Sequence, residues 1–156
     1  MDFDKVMKLL RELHKHEVDY VLVGGVALIL NGIVRATTDV DLFVRPEAGN
    51  VERFRSALRA IWDDPAIAEI TADDLAGEFP AVRYVPPDEK VPMDILSRLG
   101  TAFRFEDIES QVIEYEGVPV RIATPLMLYR MKKDTVRPQD RVDAGILREH
   151  FELEGD

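Results

Sequence analysis

Phe3, Val6, Leu10 and Leu13 recur at helical spacing with charges between them, which predicts an amphipathic helix over 3–16. Tyr20–Val23 is a short apolar, β-branched run that stops at Gly24-Gly25 and reads as a buried strand. Val26–Leu30 stays apolar up to Asn31-Gly32, a helix-ending pair, so a short helix over 26–31 follows the glycines. Val40–Val44 is the next strand, with Asp39 and Asp41 at its start. Pro46 ends it and opens a helix over 47–61 whose inner face is Val51, Phe54, Leu58 and Ile61. Thr71 with Asp74 caps a short helix over 72–78.

Ala81–Val85 and Val91–Leu96 read as strands, and 103–109 as a short helix. Val112–Tyr115 and Val118–Ile122 flank Glu116-Gly117, a hairpin signal. Thr124-Pro125 starts a helix, with Thr124 as N-cap and Pro at the first position, and Pro138 starts a last helix running to His150. The order predicts one mixed α/β domain of the α+β class over 1–150, a mixed sheet flanked by helices, because the hairpin excludes a purely parallel sheet. The acidic tail FELEGD, 151–156, reads as frayed.

Composition narrows the chemistry. The 156 residues are 46% hydrophobic, enough for a sizeable core. Thirty Asp and Glu against twenty Lys and Arg give a net charge of −10, which argues against coating nucleic acid or anionic membrane by charge alone. Cys is absent, which excludes disulfide scaffolds and cysteine nucleophiles, and His14, His16 and His150 share no metal-ligand spacing. No apolar stretch approaches the roughly 18 residues of a membrane span, and the N-terminus is acidic at once, so the expectation is a cytoplasmic protein with no membrane partner. The charge is uneven. Residues 121–150 hold seven Lys or Arg against four Asp or Glu, a local +3, which leaves −13 for the rest. Met127 and Met131 read as core, and Trp62 as packing.

The segment Tyr20–Val44 carries the strongest chemical signal. Side chains two apart on a strand share a face, so Asp39 and Asp41 converge about 6.5 Å apart at their Cα atoms. Such a pair repels itself unless a cation lies between its members, and Mg²⁺, which prefers oxygen ligands, suits it. Two ions about 3.5–4 Å apart can clamp both oxygens of a phosphoryl displacement. Glycines after a strand let backbone approach a phosphate closely, and a helix start favours an anion. Alone, an Asp-x-Asp is usually a solvated strand edge and a Gly-Gly a turn. In this order, with Arg35 and Thr38 leading in, they point together to phosphate chemistry. Asp94, amid Val, Met, Ile and Leu, adds a third carboxylate. Its competing reading is a solvent face, since Val91, Met93 and Ile95 alternate with Pro92, Asp94 and Leu96, but Leu96 fits that face poorly.

The pattern Gly24-Gly25, Arg35-x-Thr37-Thr38-Asp39-x-Asp41, then Asp94, resembles the DNA-polymerase-β-like nucleotidyltransferase superfamily. More narrowly it resembles small members near the AbiEii-like toxins of type IV toxin–antitoxin systems. Many relatives carry Ser where this chain has Gly25. IATPLMLYRMKK resembles the segment whose Pro-initiated helix ends in a Lys, here Lys132 with Lys133 as the alternative register. RPQDRVD resembles an Arg-Pro-x-Asp-x-x-Asp segment, giving Arg137, Asp140 and Asp143.

The resemblance implies a Mg-dependent transferase that moves an NMP from an NTP to an acceptor hydroxyl and releases pyrophosphate. Asp39, Asp41 and Asp94 would hold two Mg²⁺ ions, with Asp94 as general base. Gly24, Gly25, Arg35, Thr38, Lys132, Arg137 and Asp143 would bind the nucleotide. The acceptor stays open between a tRNA end, a protein and a small molecule of the aminoglycoside type. A toxin with an antitoxin partner fits the narrower group, and homo-oligomerisation stays open. The alternative from another class is a non-catalytic module that binds a nucleotide or a partner. An intact Asp triad argues against it.

Overall fold

The computed structural model describes residues 1–77, 81–99, 103–135 and 137–153. Helix α1 (Phe3–Lys15) starts where the Asp2 carboxylate accepts from the Asp4 and Lys5 amides, and it buries Val6, Leu9, Leu10 and Leu13. Strand β1 (Tyr20–Val23) is buried along its whole length. Helix α2 (Gly24–Leu30) follows with no intervening loop. The two glycines are therefore its first turn rather than a link before a helix at 26. Strand β2 (Val40–Val44) has Asp41 as its one incompletely buried residue. Helix α3 (Ala48–Arg59) is followed by a 3₁₀ turn (Pro65–Glu69) and by α4 (Ala72–Ala76), which Thr71 caps onto the Asp74 amide. Residue 78 of the expected 72–78 helix lies outside the described residues.

Strands β3 (Ala81–Tyr84) and β4 (Met93–Leu96) come next, then a small ribbon of β5 (Arg98–Leu99) and β6 (Phe103–Arg104). The expected helix over 103–109 is thus a strand residue pair and a 3₁₀ turn at Phe105–Asp107. Phe103 pairs with Leu99 across the ribbon, a cross-strand contact that short-range periodicity does not reveal. The hairpin β7 (Ser110–Tyr115) and β8 (Val118–Ala123) turns at Glu116 and Gly117, both at positive φ, as a two-residue hairpin turn requires. Thr124 then caps α5 (Pro125–Lys132), and α6 (Pro138–His150) closes the described fold.

The large sheet has the order β3-β4-β2-β1-β8-β7. It is mixed: β1/β8 and β2/β4 are parallel, while β1/β2, β3/β4 and β7/β8 are antiparallel. Helix α1 packs on β8 and α3, and α5 packs on α6. This is the mixed α+β architecture that the sequence predicts. The tail departs from its expected fraying as far as it is described. Phe151 and Leu153 pack partly buried against the core, and the Leu153 amide bonds the Arg148 carbonyl at 3.0 Å. Residues 154–156 lie outside the described residues.

Asn50, 1% exposed, ties α3 to the sheet. Its Oδ1 accepts from the Asp19 amide at 2.7 Å, and its Nδ2 donates to the Asp19 and Arg45 carbonyls, both at 3.0 Å. Asn50→Ala would remove these bonds and leave the Asp19 amide without its partner, while the Asp19 and Arg45 carbonyls keep the Arg45 and Glu47 amides. It is expected to cost about 1–2 kcal/mol, read from urea unfolding.

Candidate active site

Strand register builds the site. Asp41 of β2 pairs with Asp94 of β4, and Asp94 pairs in turn with Arg83 of β3. The three side chains form one row across three strands, on one face of the sheet. Asp39 stands two residues before Asp41, just ahead of β2, where the Thr37 hydroxyl donates to the Asp39 carbonyl at 3.1 Å and fixes the bend. On β4, Met93 and Ile95 point into the core, while Asp94 and Leu96 face a cavity of about 710 Å³. Leu96 shares the Asp94 face because that face is the cavity wall rather than open solvent.

Val23 pairs with Asp41, so Gly24 comes directly beside that carboxylate. Gly24 has φ +70°, and a Cβ there would collide with Asp41 Oδ2 and lie 2.8 Å from its Cγ. Only glycine allows both the backbone turn and the approach. Gly24→Ala is expected to cost at least about 1–2 kcal/mol from backbone strain alone. Displacement of Asp41 adds to that, and thermal denaturation measures the loss. At Gly25 a Cβ would come within 2.7 Å of both Arg35 Nη1 and Thr37 Oγ1. The space that a Ser side chain would need is filled here by these two side chains from the loop before β2.

The opposite wall comes from α5 and α6. Lys132, at the end of α5 and only 8% exposed, reaches the cavity. Its Nζ is 2.9 Å from Asp143 Oδ2 and 3.3 Å from Asp140 Oδ1. Lys133 instead lies 3.9 Å from Asp134, and it is Lys132 that pairs with Asp140 and Asp143. Asp143, 1% exposed, does not line the cavity. Its Oδ2 also takes Arg35 Nη1 at 3.4 Å, and its Oδ1 accepts from Gln139 Nε2 at 2.9 Å. It sits behind Lys132 and Arg35, paired with both. Asp143 lies on the inner side of α6, packed against α5, and both its oxygens are taken.

Arg35, Thr38, Arg137, Gly24 and Gly25 all line the cavity with the three aspartates. Arg137 precedes α6 and is largely exposed. Met127 is core, and Met131 packs partly buried against the core while contributing with Leu128 to the apolar part of the wall.

Burial raises the Asp41 carboxyl to about 7, helped by the charges of Asp94 and Asp39 and by a hydrogen bond with Asp94, against a smaller opposing pull from Lys132. Crowded carboxylate oxygens are donors of the kind that suit a hard divalent cation. No group of three or more His, Asp or Glu among the described residues is already arranged to hold an ion. Asp39 and Asp94 are instead turned to Arg83, which sequence reasoning missed. Its Nη2 lies 3.2 Å from Asp39 Oδ1 and its Nη1 3.1 Å from Asp94 Oδ1. The sequence signal for Arg83 exists only once 81–84 is paired with 93–96 in register.

The mixed sheet and its flanking helices are shared with solved nucleotidyltransferase-type structures, a likeness of fold. A candidate nucleotidyltransferase from Thermotoga maritima superposes with a TM-score of 0.59 at 12% identity, over 96% of this chain and 92% of that one. A nucleotidyltransferase-like antigenic protein from Paracoccidioides brasiliensis gives 0.55 at 16% identity, over 91% and 72%. The JHP933 protein of Helicobacter pylori gives 0.53 at 22%, over 96% and 66%. No family model matches the chain, and no curated protein sequence matches it. No helix among the described residues is long and apolar enough to cross a membrane.

Proposed function

We propose that the chain is a metal-dependent nucleotidyltransferase that moves an NMP from an NTP to an acceptor hydroxyl. The observation that carries this reading is the row of Asp41 and Asp94, with Asp39 beside it, next to the Gly24-Gly25 turn in one cavity. Asp39, Asp41 and Asp94 would hold Mg²⁺, which when bound supplies Lewis-acid stabilisation of charge on the reacting phosphate oxygens.

The chain's own residues then divide the remaining work. Gly24 lets Asp41 come against the backbone of the turn, and Gly25 leaves its side-chain space to Arg35 and Thr37, which line the cavity with it. Lys132 and Arg137 face the cavity and offset phosphate charge, while Asp143 keeps Lys132 and Arg35 in place. Leu128 and Met131 give a nucleoside an apolar wall. In the transfer, the acceptor oxygen bonds to the α-phosphorus as the bond to the bridging oxygen of the β-phosphate breaks. Pyrophosphate leaves, and the acceptor proton passes to the Asp94 carboxylate.

The test is incubation with each α-labelled NTP and Mg²⁺, with total tRNA or the protein itself as acceptor. Label transfer that disappears in Asp39→Ala is the expected result. Titration calorimetry showing no Mg²⁺-dependent NTP binding would overturn the reading. A small regulator encoded beside the gene and binding this chain would extend the proposal to a toxin–antitoxin pair.

A further inference from the structure

Arg83 is the one group in the carboxylate row that the proposed chemistry leaves without a task. It belongs to β3, an edge strand of the sheet that pairs with β4, and its side chain is 52% exposed. Its two terminal nitrogens engage one oxygen each of Asp39 and Asp94, at 3.2 and 3.1 Å. These carboxylates come from different segments of the sheet, and the planar fork of a guanidinium is suited to spanning two acceptors at once. A divalent ion held by the same two carboxylates would lie within a few ångströms of the guanidinium and be repelled by it. The two cations therefore exclude each other. Being on an edge strand and half exposed, Arg83 has solvent to turn into when it lets go.

We propose that Arg83 is a built-in counter-cation of Asp39 and Asp94, a positioning residue that a divalent ion must displace, so that it sets the cation concentration at which the site loads. This rests on the reading of Asp39 and Asp94 as metal-holding residues. The bridge keeps both carboxylates paired with positive charge. Displacing it frees their oxygens and at the same time releases the guanidinium of the residue paired with Asp94 across β3 and β4.

The test is Mn²⁺ titration at fixed ionic strength, followed by electron paramagnetic resonance of the free ion, on wild type, Arg83→Gln and Arg83→Lys. Removing two exposed charge-assisted hydrogen bonds at once predicts about ten-fold tighter Mn²⁺ binding for Arg83→Gln. Arg83→Lys keeps the charge but not the fork, so its affinity is expected to fall between the other two. The Mn²⁺-induced rise in melting temperature should be larger for Arg83→Gln than for wild type, and the same melts confirm that each variant is folded. Binding by Arg83→Gln that is equal to or weaker than wild type overturns the proposal while leaving the metal reading intact. Arg83→Lys identical to wild type beside a tighter Arg83→Gln also overturns it, since net charge rather than the bridge would then be responsible. Binding by Arg83→Gln with none by wild type supports it. No Mn²⁺ binding by any of the three removes the metal reading and the proposal together.

Discussion

Asp41→Asn is expected to abolish nucleotide transfer and, in the same protein, to raise the melting temperature. The Asp41 carboxyl is raised from an ordinary value of 3.8 to about 7, first by burial and then by Asp94 and Asp39. Because the folded state holds this proton more tightly than the unfolded chain, stability contributed by the protonated form is fully present below about pH 4. It is lost progressively as pH rises toward 7. A shift of about three units corresponds to roughly 4 kcal/mol at most. Relaxation and water reduce what an uncharged isostere recovers to about 1–3 kcal/mol. Melting curves in EDTA between pH 4 and 8 check it: the wild type should lose stability across that window, and Asp41→Asn should be nearly flat. Transfer should fall by at least about a thousand-fold, the scale of removing a group that stabilises developing charge. A variant both dead and more stable is the signature of a residue kept for chemistry at a cost to the fold.

Asp143→Ala is expected to have the largest effect on stability, a loss of about 3–5 kcal/mol, because it leaves buried positive charge without its partner. Lys132 and Arg35 both lean on Asp143, and Gln139 fills its other oxygen. Guanidinium chloride unfolding measures the loss. NTP binding by the surviving folded fraction should weaken as well, since Lys132 keeps only Asp140, 3.3 Å away. Asp143→Asn keeps the shape and part of the hydrogen bonding, so its loss should be smaller while the weakening of NTP binding persists. A purely structural Asp143 would leave NTP affinity unchanged in that variant.

These two residues also mark how far the amino-acid order is informative. Asp41 was legible because its position depends on period two along one strand, and Asp94 because a carboxylate among Val, Met, Ile and Leu needs a reason to be there. The glycines were legible as a turn after β1 but not as the opening turn of α2. Asp143 was legible as a member of the cluster but not as the carboxylate buried behind Lys132 and Arg35. A helix period does not tell which carboxylate meets a ligand and which meets the neighbouring lysine until α5 and α6 are packed. Arg83 was not legible at all, since nothing near it in the chain distinguishes it from an exposed arginine on a strand. Only the antiparallel register of β3 on β4 puts it opposite Asp94. Local pattern thus conveyed elements and two of the three carboxylates on a common face. Pairing between distant segments decided the rest.

The parallel pairing of β1 with β8 has a consequence for the timing of assembly. Leu22 aligns with Ile122, about a hundred residues downstream, and α5 with Lys132 follows directly on that strand. Contacts this distant in the chain are closed late and slowly during folding. During synthesis the acidic half of the site, from Gly24 to Asp94, emerges well before the cation that faces it. Until β8 arrives, β1 has an open edge and the carboxylates have no Lys132 opposite them. Over that interval the nascent chain is most exposed to edge-to-edge pairing with its neighbours.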